Sequence, residues 1–312
     1  MEITKNDHQE TNKGFIIALV SAAILSFTGI IIRIVSEDYH LPALILAFWR
    51  DFFVVICAFP FLLVFKSERF GIKTKNLGFL IMFGFGLAFF NIAWTLAVTL
   101  SGASIATVLV YSSAGFTAIL GFFFLKESLS LNKNISIVLC LVGCLLVSGA
   151  IDINAWQRNS IGILSGIISG LLYAIYSLMG RRASQRDLNP WTTLFYTFLF
   201  AAVFLFLINL LPVDFIPGKA QTAADLFQLG TQWRGWILLV VLAGGPTLLG
   251  FGLYNVSLGL LPSSTANLIL SSEPVMTVIT AYFLLGERLT SIEIIGSGLI
   301  LAALVLLRYR RS

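Results

Sequence analysis

Charged side chains cut the chain into long apolar runs, and the runs predict its elements. Gly14–Ile32 predicts a first helix, and Leu41–Phe65 a second, interrupted only by Arg50 and Asp51. Asn76–Leu125 holds 50 residues without Asp, Glu, Lys or Arg. At about 1.5 Å per residue one helix of that length would span roughly 75 Å, more than twice a bilayer core. The run therefore predicts a third and a fourth helix, with Ser101-Gly102 as the break. Asn134–Ile151, Ser160–Gly180 and Pro190–Leu211 predict the fifth to seventh. Gly235–Ser272 is again too long for one crossing, and Pro262 divides it into an eighth and a ninth, the ninth continuing through Glu273 to Gly286. Ile294–Leu307 with its flanks predicts a tenth. Backbone groups in lipid must be satisfied within their own segment, so helices are the structure such runs adopt.

Composition turns these helices into membrane spans. The chain of 312 residues is 58% hydrophobic and 11% charged, with a mean hydropathy of +0.93, whereas a soluble domain carries about 25% charged residues. No polar domain is present to present the net charge of +5 to nucleic acid. The charge instead reads as a topological signal. Across ten helices, the side bearing the N-terminus collects 14 Lys and Arg and the other side 5. The positive-inside rule then expects both termini in the cytoplasm and a multi-pass protein of the cytoplasmic (inner) membrane. The polar start, MEITKNDHQETNK, is unlike a cleavable secretory signal, so the first apolar run is expected to remain as a helix. Cys57, Cys140 and Cys144 read as small apolar fillers, and His8 and His40 lie outside the long apolar runs.

The chain also repeats. At an offset of 160, SIATVLVYSSAGFTAILGFFFLKESL (Ser104–Leu129) falls without a gap on STANLILSSEPVMTVITAYFLLGERL (Ser264–Leu289), and Glu127 meets Glu287. At an offset of 148, Arg33 meets Arg181 and Pro42 meets Pro190. The expected organisation is two five-helix units, 14–151 and 160–308. Five is odd, so the second unit enters the membrane from the opposite side. That inverted repeat is the architecture of many secondary transporters. The expected fold is thus all-α, ten transmembrane helices in two inverted five-helix repeats.

The copies ending in FFFLKESL and YFLLGERL, each followed by one further helix, resemble EamA repeats. SEPVMTVITAYFLLGERLT is especially similar to the second-half signature of that family, and the pair of repeats resembles the drug/metabolite transporter superfamily. The resemblance covers nearly all the chain from Gly14 to Arg308. It implies a secondary active transporter, in the first instance an exporter of amino acids or similar small organic metabolites by alternating access. An importer or exchanger of a cofactor-like metabolite stays open, as does a membrane scaffold or enzyme that has lost transport. The first repeat departs from the pattern, with Ser113-Ala114 where the second has Glu273-Pro274, and Lys126 in place of Gly286.

Candidate chemistry concentrates in mid-span. Ionisable groups near a bilayer centre cost about 2.5–3.5 kcal/mol on insertion scales and face a cavity or a partner. Arg50, Asp51 and Glu273 are in that position. Arg50 and Asp51 point about 100° apart on a helix, so pairing within one helix face is not expected. Pro274 offers no N–H to the carbonyl of Leu270. With Asn267, Ser272 and Glu273 it forms a polar, broken stretch that suits substrate binding, gating or proton exchange. Asn91, Trp94, Tyr111, Tyr173, Tyr176 and Tyr254 complete the candidate cavity, with interfacial anchoring as the alternative for the aromatics. Gly162, Gly166 and Gly170 form a small-residue stripe suited to close helix packing. No phosphate-binding loop, HExxH motif or other catalytic set is found in the sequence. No cofactor or metal is expected. The expected partners are a small-molecule substrate and the bilayer, with proton coupling open, and a monomer and a homodimer both fit.

Overall fold

The computed structural model describes residues 5–64, 73–101, 103–148, 150–151, 160–212, 216–285 and 290–309. Residues 65–72, Arg158, the Gly286–Leu289 motif and Arg310-Arg311, which the charge count and repeat use, lie outside the described residues.

The described residues fold as α1 (Lys5–Tyr39), α2 (Ala43–Val64), α3 (Thr74–Ser101), α4 (Ala103–Tyr111), α5 (Ser113–Leu125), α6 (Leu131–Val147), α7 (Ser160–Gln185), α8 (Pro190–Leu210), α9 (Trp233–Leu242), α10 (Leu248–Leu260), α11 (Ser263–Leu270), α12 (Glu273–Leu285) and α13 (Ser291–Tyr309), with no strand among them. Among the described residues, seven stretches are long and apolar enough to cross a membrane by length and composition, and Leu131–Val147 and Ser291–Leu307 are shorter apolar helices. The outer faces stay apolar, with Phe123, Phe124 and Phe283 each more than two-thirds exposed. Such an apolar outer surface suits lipid contact. α1 packs on α10 and α12, α3 on α7 and α8, α2 on α8, and α6 on α13.

Local chemistry explains the ends. Asn189 caps α8, its Oδ1 accepting from Trp191 N (2.9 Å) and Thr192 N (3.3 Å), with Pro190 in the first turn. This is the favoured arrangement at a helix start. α9 and α10 are joined by one π-helical turn, Ala243–Thr247, around Pro246. The proline removes the donor for the carbonyl four residues back, and the Thr247 hydroxyl replaces it by donating to Leu242 O at 2.8 Å. The glycine stripe of α7 packs as expected. A Cβ on Gly166 would lie 2.5 Å from Leu109, and one on Gly170 would lie 2.5 Å from the Ser112 hydroxyl.

Two expected helices are each divided. The fourth breaks at Ser112 into α4 and α5, and the ninth breaks at Ser271-Ser272 into α11 and α12 rather than running on through Glu273. Ser112 and Ser272 are equivalent in the repeat, and they behave alike. Ser112 Oγ donates to Leu109 O (2.5 Å) and Ser112 N to the same carbonyl (3.2 Å). Ser272 Oγ donates to Ile269 O (2.7 Å), as does Ser272 N (3.0 Å). A serine that bonds three residues back tightens the turn and competes with the regular ladder. The first break has no proline beside it, so Pro274 is not what the two breaks share.

Candidate functional site

A cavity of about 370 Å³ lies against both breaks. Residues of α1, α2, α3, α4, α7, α10 and α12 and the end of α6 line it. Of the twelve candidate residues, Arg50, Asn91, Trp94, Tyr111, Tyr173, Glu273 and Pro274 are in its wall. Asp51, Asn267, Ser272, Tyr176 and Tyr254 are not; they lie behind it or beneath it.

At the wall, Arg50 and Asn91 close a three-membered ring with Asp51, which does not line the cavity. Arg50 Nε and Nη2 both donate to Asp51 Oδ1 at 3.0 Å. Arg50 Nη2 also donates to Asn91 Oδ1 (2.9 Å), and Asn91 Nδ2 donates to Asp51 Oδ2 (3.1 Å). The expectation that these neighbours would not pair is therefore corrected. Backbone vectors 100° apart do not prevent it, because the long arginine side chain curls back over its own helix. Asp51 is fully buried while Arg50 keeps 11% of its side chain exposed. The ion pair thus presents its cationic edge to the cavity and its carboxylate to the protein.

On the same cavity, Glu273, which opens α12, and Tyr111, the last residue of α4, both stand in the wall. The two breaks therefore bring a side chain from each half to one site. Ser271, in the turn just before, has its carbonyl approached by the thiols of Cys140 (3.9 Å) and Cys144 (3.7 Å). These two cysteines were expected as fillers; they also supply weak donors to a loosened backbone. Phe90 stacks on Tyr173 at 5.2 Å, and Tyr173 continues to Tyr176 and Tyr254, both buried.

Beneath the cavity a second polar network ties the halves together. Asn267 accepts from Ser113 Oγ (3.1 Å) and donates to Ser177 Oγ (3.0 Å) and Tyr254 OH (3.4 Å). Ser177 and Tyr254 are 2.7 Å apart, and Asn255 donates to Tyr176 OH at 3.2 Å. Ser272 turns back to Ile269 O and does not line the cavity. Phe90, Phe251 and Thr107 line the cavity and Ser177 belongs to this network; none of them was singled out from sequence. Ser177 shares a face with Tyr173, four residues earlier, so helical spacing alone could have found it.

Residues 12–149 and 160–309 each match the EamA-like transporter family. The chain belongs to that family. As an EamA-like transporter it is an integral membrane protein acting on a small-molecule substrate, and the names of its relatives point to transport rather than catalysis. It is 24% identical to a probable amino-acid metabolite efflux pump of Salmonella typhimurium, over 94% of each chain. It is 29% identical to the threonine/homoserine exporter of Escherichia coli, over 60% of this chain and 50% of that one. A solved crystal structure shares the fold, with a TM-score of 0.76 over 96% of this chain and 97% of the other, at 14% identity.

Proposed function

We propose that this EamA-like transporter is a secondary active exporter of amino acids or similar small organic metabolites. The observation that carries the reading is the cavity wall, which holds one guanidinium and one carboxylate among aromatic rings. A zwitterion has complementary poles. Its carboxylate pairs with Arg50, and its ammonium with Glu273 and the Tyr111 hydroxyl, while the aromatic rings receive its apolar part. Names given to relatives in amino-acid and metabolite efflux support the same class.

Alternating access accounts for the repeat. Ten spans in two inverted units, 14–151 and 160–308, with both termini in the cytoplasm, let one unit exchange conformation with the other around a fixed site. Glu273 is the proton-exchanging group in this reading, and the break beside it is the joint. Transport of radiolabelled amino acids by proteoliposomes tests the proposal. Wild-type protein is expected to move substrate down a pH gradient, and Glu273→Gln to lose that drive while retaining solute–solute exchange, because the amide keeps its size but does not titrate. Folded protein that moves no amino acid or related metabolite across a broad panel would refute the transport reading. Equal pH-gradient dependence in wild type and Glu273→Gln would refute the proton role alone.

A further inference from the structure

The glutamate of the FFFLKESL motif is left unused by the cavity, yet it makes four hydrogen bonds to the second half. Glu127 follows α5 and reaches the start of α11. Its Oε1 accepts from Ser263 N (2.6 Å) and Ser263 Oγ (2.6 Å). Its Oε2 accepts from Ser264 N (3.1 Å) and from the Ser264 hydroxyl. Lys133 Nζ donates to Ser264 Oγ (2.8 Å) and to Ser128 O (2.8 Å), fixing the same end of α6 to the same serine. On the other flank Arg181 Nη1 donates to Leu258 O (2.8 Å) and Gly259 O (2.9 Å), carbonyls in the last turn of α10. The short link through Leu261 and Pro262 is therefore gripped at both helix ends. A carboxylate on a helix N-terminus and a guanidinium on a C-terminus each have the favourable sign for the helix dipole.

The position of this cluster gives it a role. It lies at the end of the bundle where Gly14 of α1 packs against Leu260 and Leu261. None of its residues lines the cavity. Ser263 is ten residues before Glu273, about 15 Å along a helix axis. All of Ser263–Leu270 is buried, and the Asn267 network fills the space between cluster and cavity. Gly121 makes room for the grip, since a Cβ there would stand 2.9 Å from Glu127 Oε2. α11 is thus an eight-residue rod with the Ser271-Ser272 turn at one end and four donors to a single carboxylate at the other.

We infer that Glu127 is the latch of the transport cycle: its grip on Ser263 and Ser264 holds this end of the cavity shut, and its release lets α5–α6 part from α7, α10 and α11 at this end, with the Ser271-Ser272 turn as the hinge of α11. The inference rests on the alternating-access reading above. It assigns the motif glutamate to gating rather than to substrate, and it makes Ser263, Ser264 and Lys133 positioning residues for the same step. Breaking the grip should favour the state open at this end without changing the cavity wall.

Spin labels at Ser128→Cys and Gln185→Cys, both exposed at this end, report the separation of α5–α6 from α7 and α10 in a Cys57→Ser background. Electron–electron double resonance on the full chain in lipid nanodiscs reads the distance without any substrate. Wild type is expected to show mainly the short distance. Glu127→Gln, which keeps the shape but not the charge, is expected to raise the ratio of long to short populations at least about tenfold, equivalent to ~1.4 kcal/mol. If that variant does not fold, Ser263→Ala with Ser264→Ala removes two of the four donors, keeps the carboxylate, and is expected to shift the ratio in the same direction. A folded variant whose ratio stays within about twofold of wild type overturns the latch. Because this readout needs no substrate, a failure of the export assay leaves it standing, and an unchanged distance with intact export sinks the latch alone.

Discussion

Removing Arg50 should destabilise the protein more than removing a cavity-lining residue normally would, and a second substitution should rescue it. Asp51 is fully buried and receives two bonds from Arg50 and one from Asn91. Arg50→Ala leaves that carboxylate with only the Asn91 amide. Breaking one side of a buried ion pair costs about 3–5 kcal/mol, most of it the penalty of the orphaned charge. Asp51→Asn alone removes the charge but keeps an acceptor for Arg50, and the guanidinium retains its bond to Asn91 and its exposed edge. Its cost should be nearer the ~1.5–3 kcal/mol of a hydrogen bond to a charged group. In Arg50→Ala with Asp51→Asn no charge is left buried, so the pair should recover about 2 kcal/mol relative to the sum of the single variants, within the range seen for coupled neighbours. Reversible unfolding of purified protein in mixed micelles, followed by tryptophan fluorescence, measures all three. Additive losses, or an Arg50→Ala variant as stable as wild type, would refute the buried-charge argument and leave Arg50 free for a role in binding alone.

The π-turn gives a smaller prediction: Thr247→Val keeps the shape but removes the hydroxyl bond to Leu242 O, at a cost of about 0.5–1.5 kcal/mol in the same unfolding assay. An unchanged midpoint would mean that the carbonyl is satisfied in another way. Topology is tested by thiol labelling of intact cells: Gln221→Cys, exposed in the loop after α8, is expected to react with an impermeant reagent from outside, and Ser128→Cys is not. The reverse pattern would place the termini outside.

Most of the helices, the apolar character of their surfaces and the family could be read from the chain alone, because each depends on local or periodic information. Hydropathy sums over a window, and a repeat is a comparison of the chain with itself. Arg50 and Glu273, which share one cavity wall, could be picked out for a related reason: charged groups are rare in apolar runs, so each one stands out. Three features required the tertiary structure. The break at Ser112 carries no proline, and a mid-helix serine bonds either to its own turn or elsewhere according to what packs against it; here α7 presents Gly170, and Ser112 fits there. The Arg50–Asp51 pair depends on the arginine side-chain conformation that Asn91 of α3 stabilises, and no backbone angle on α2 specifies it. Glu127 is marked in the sequence as one half of a repeated motif, but its partners lie more than 130 positions away. A carboxylate at a helix end accepts from whatever donors arrive, and only the packing of α11 against α5 decides that those donors are the opening N–H groups and hydroxyls of a helix in the other half of the chain.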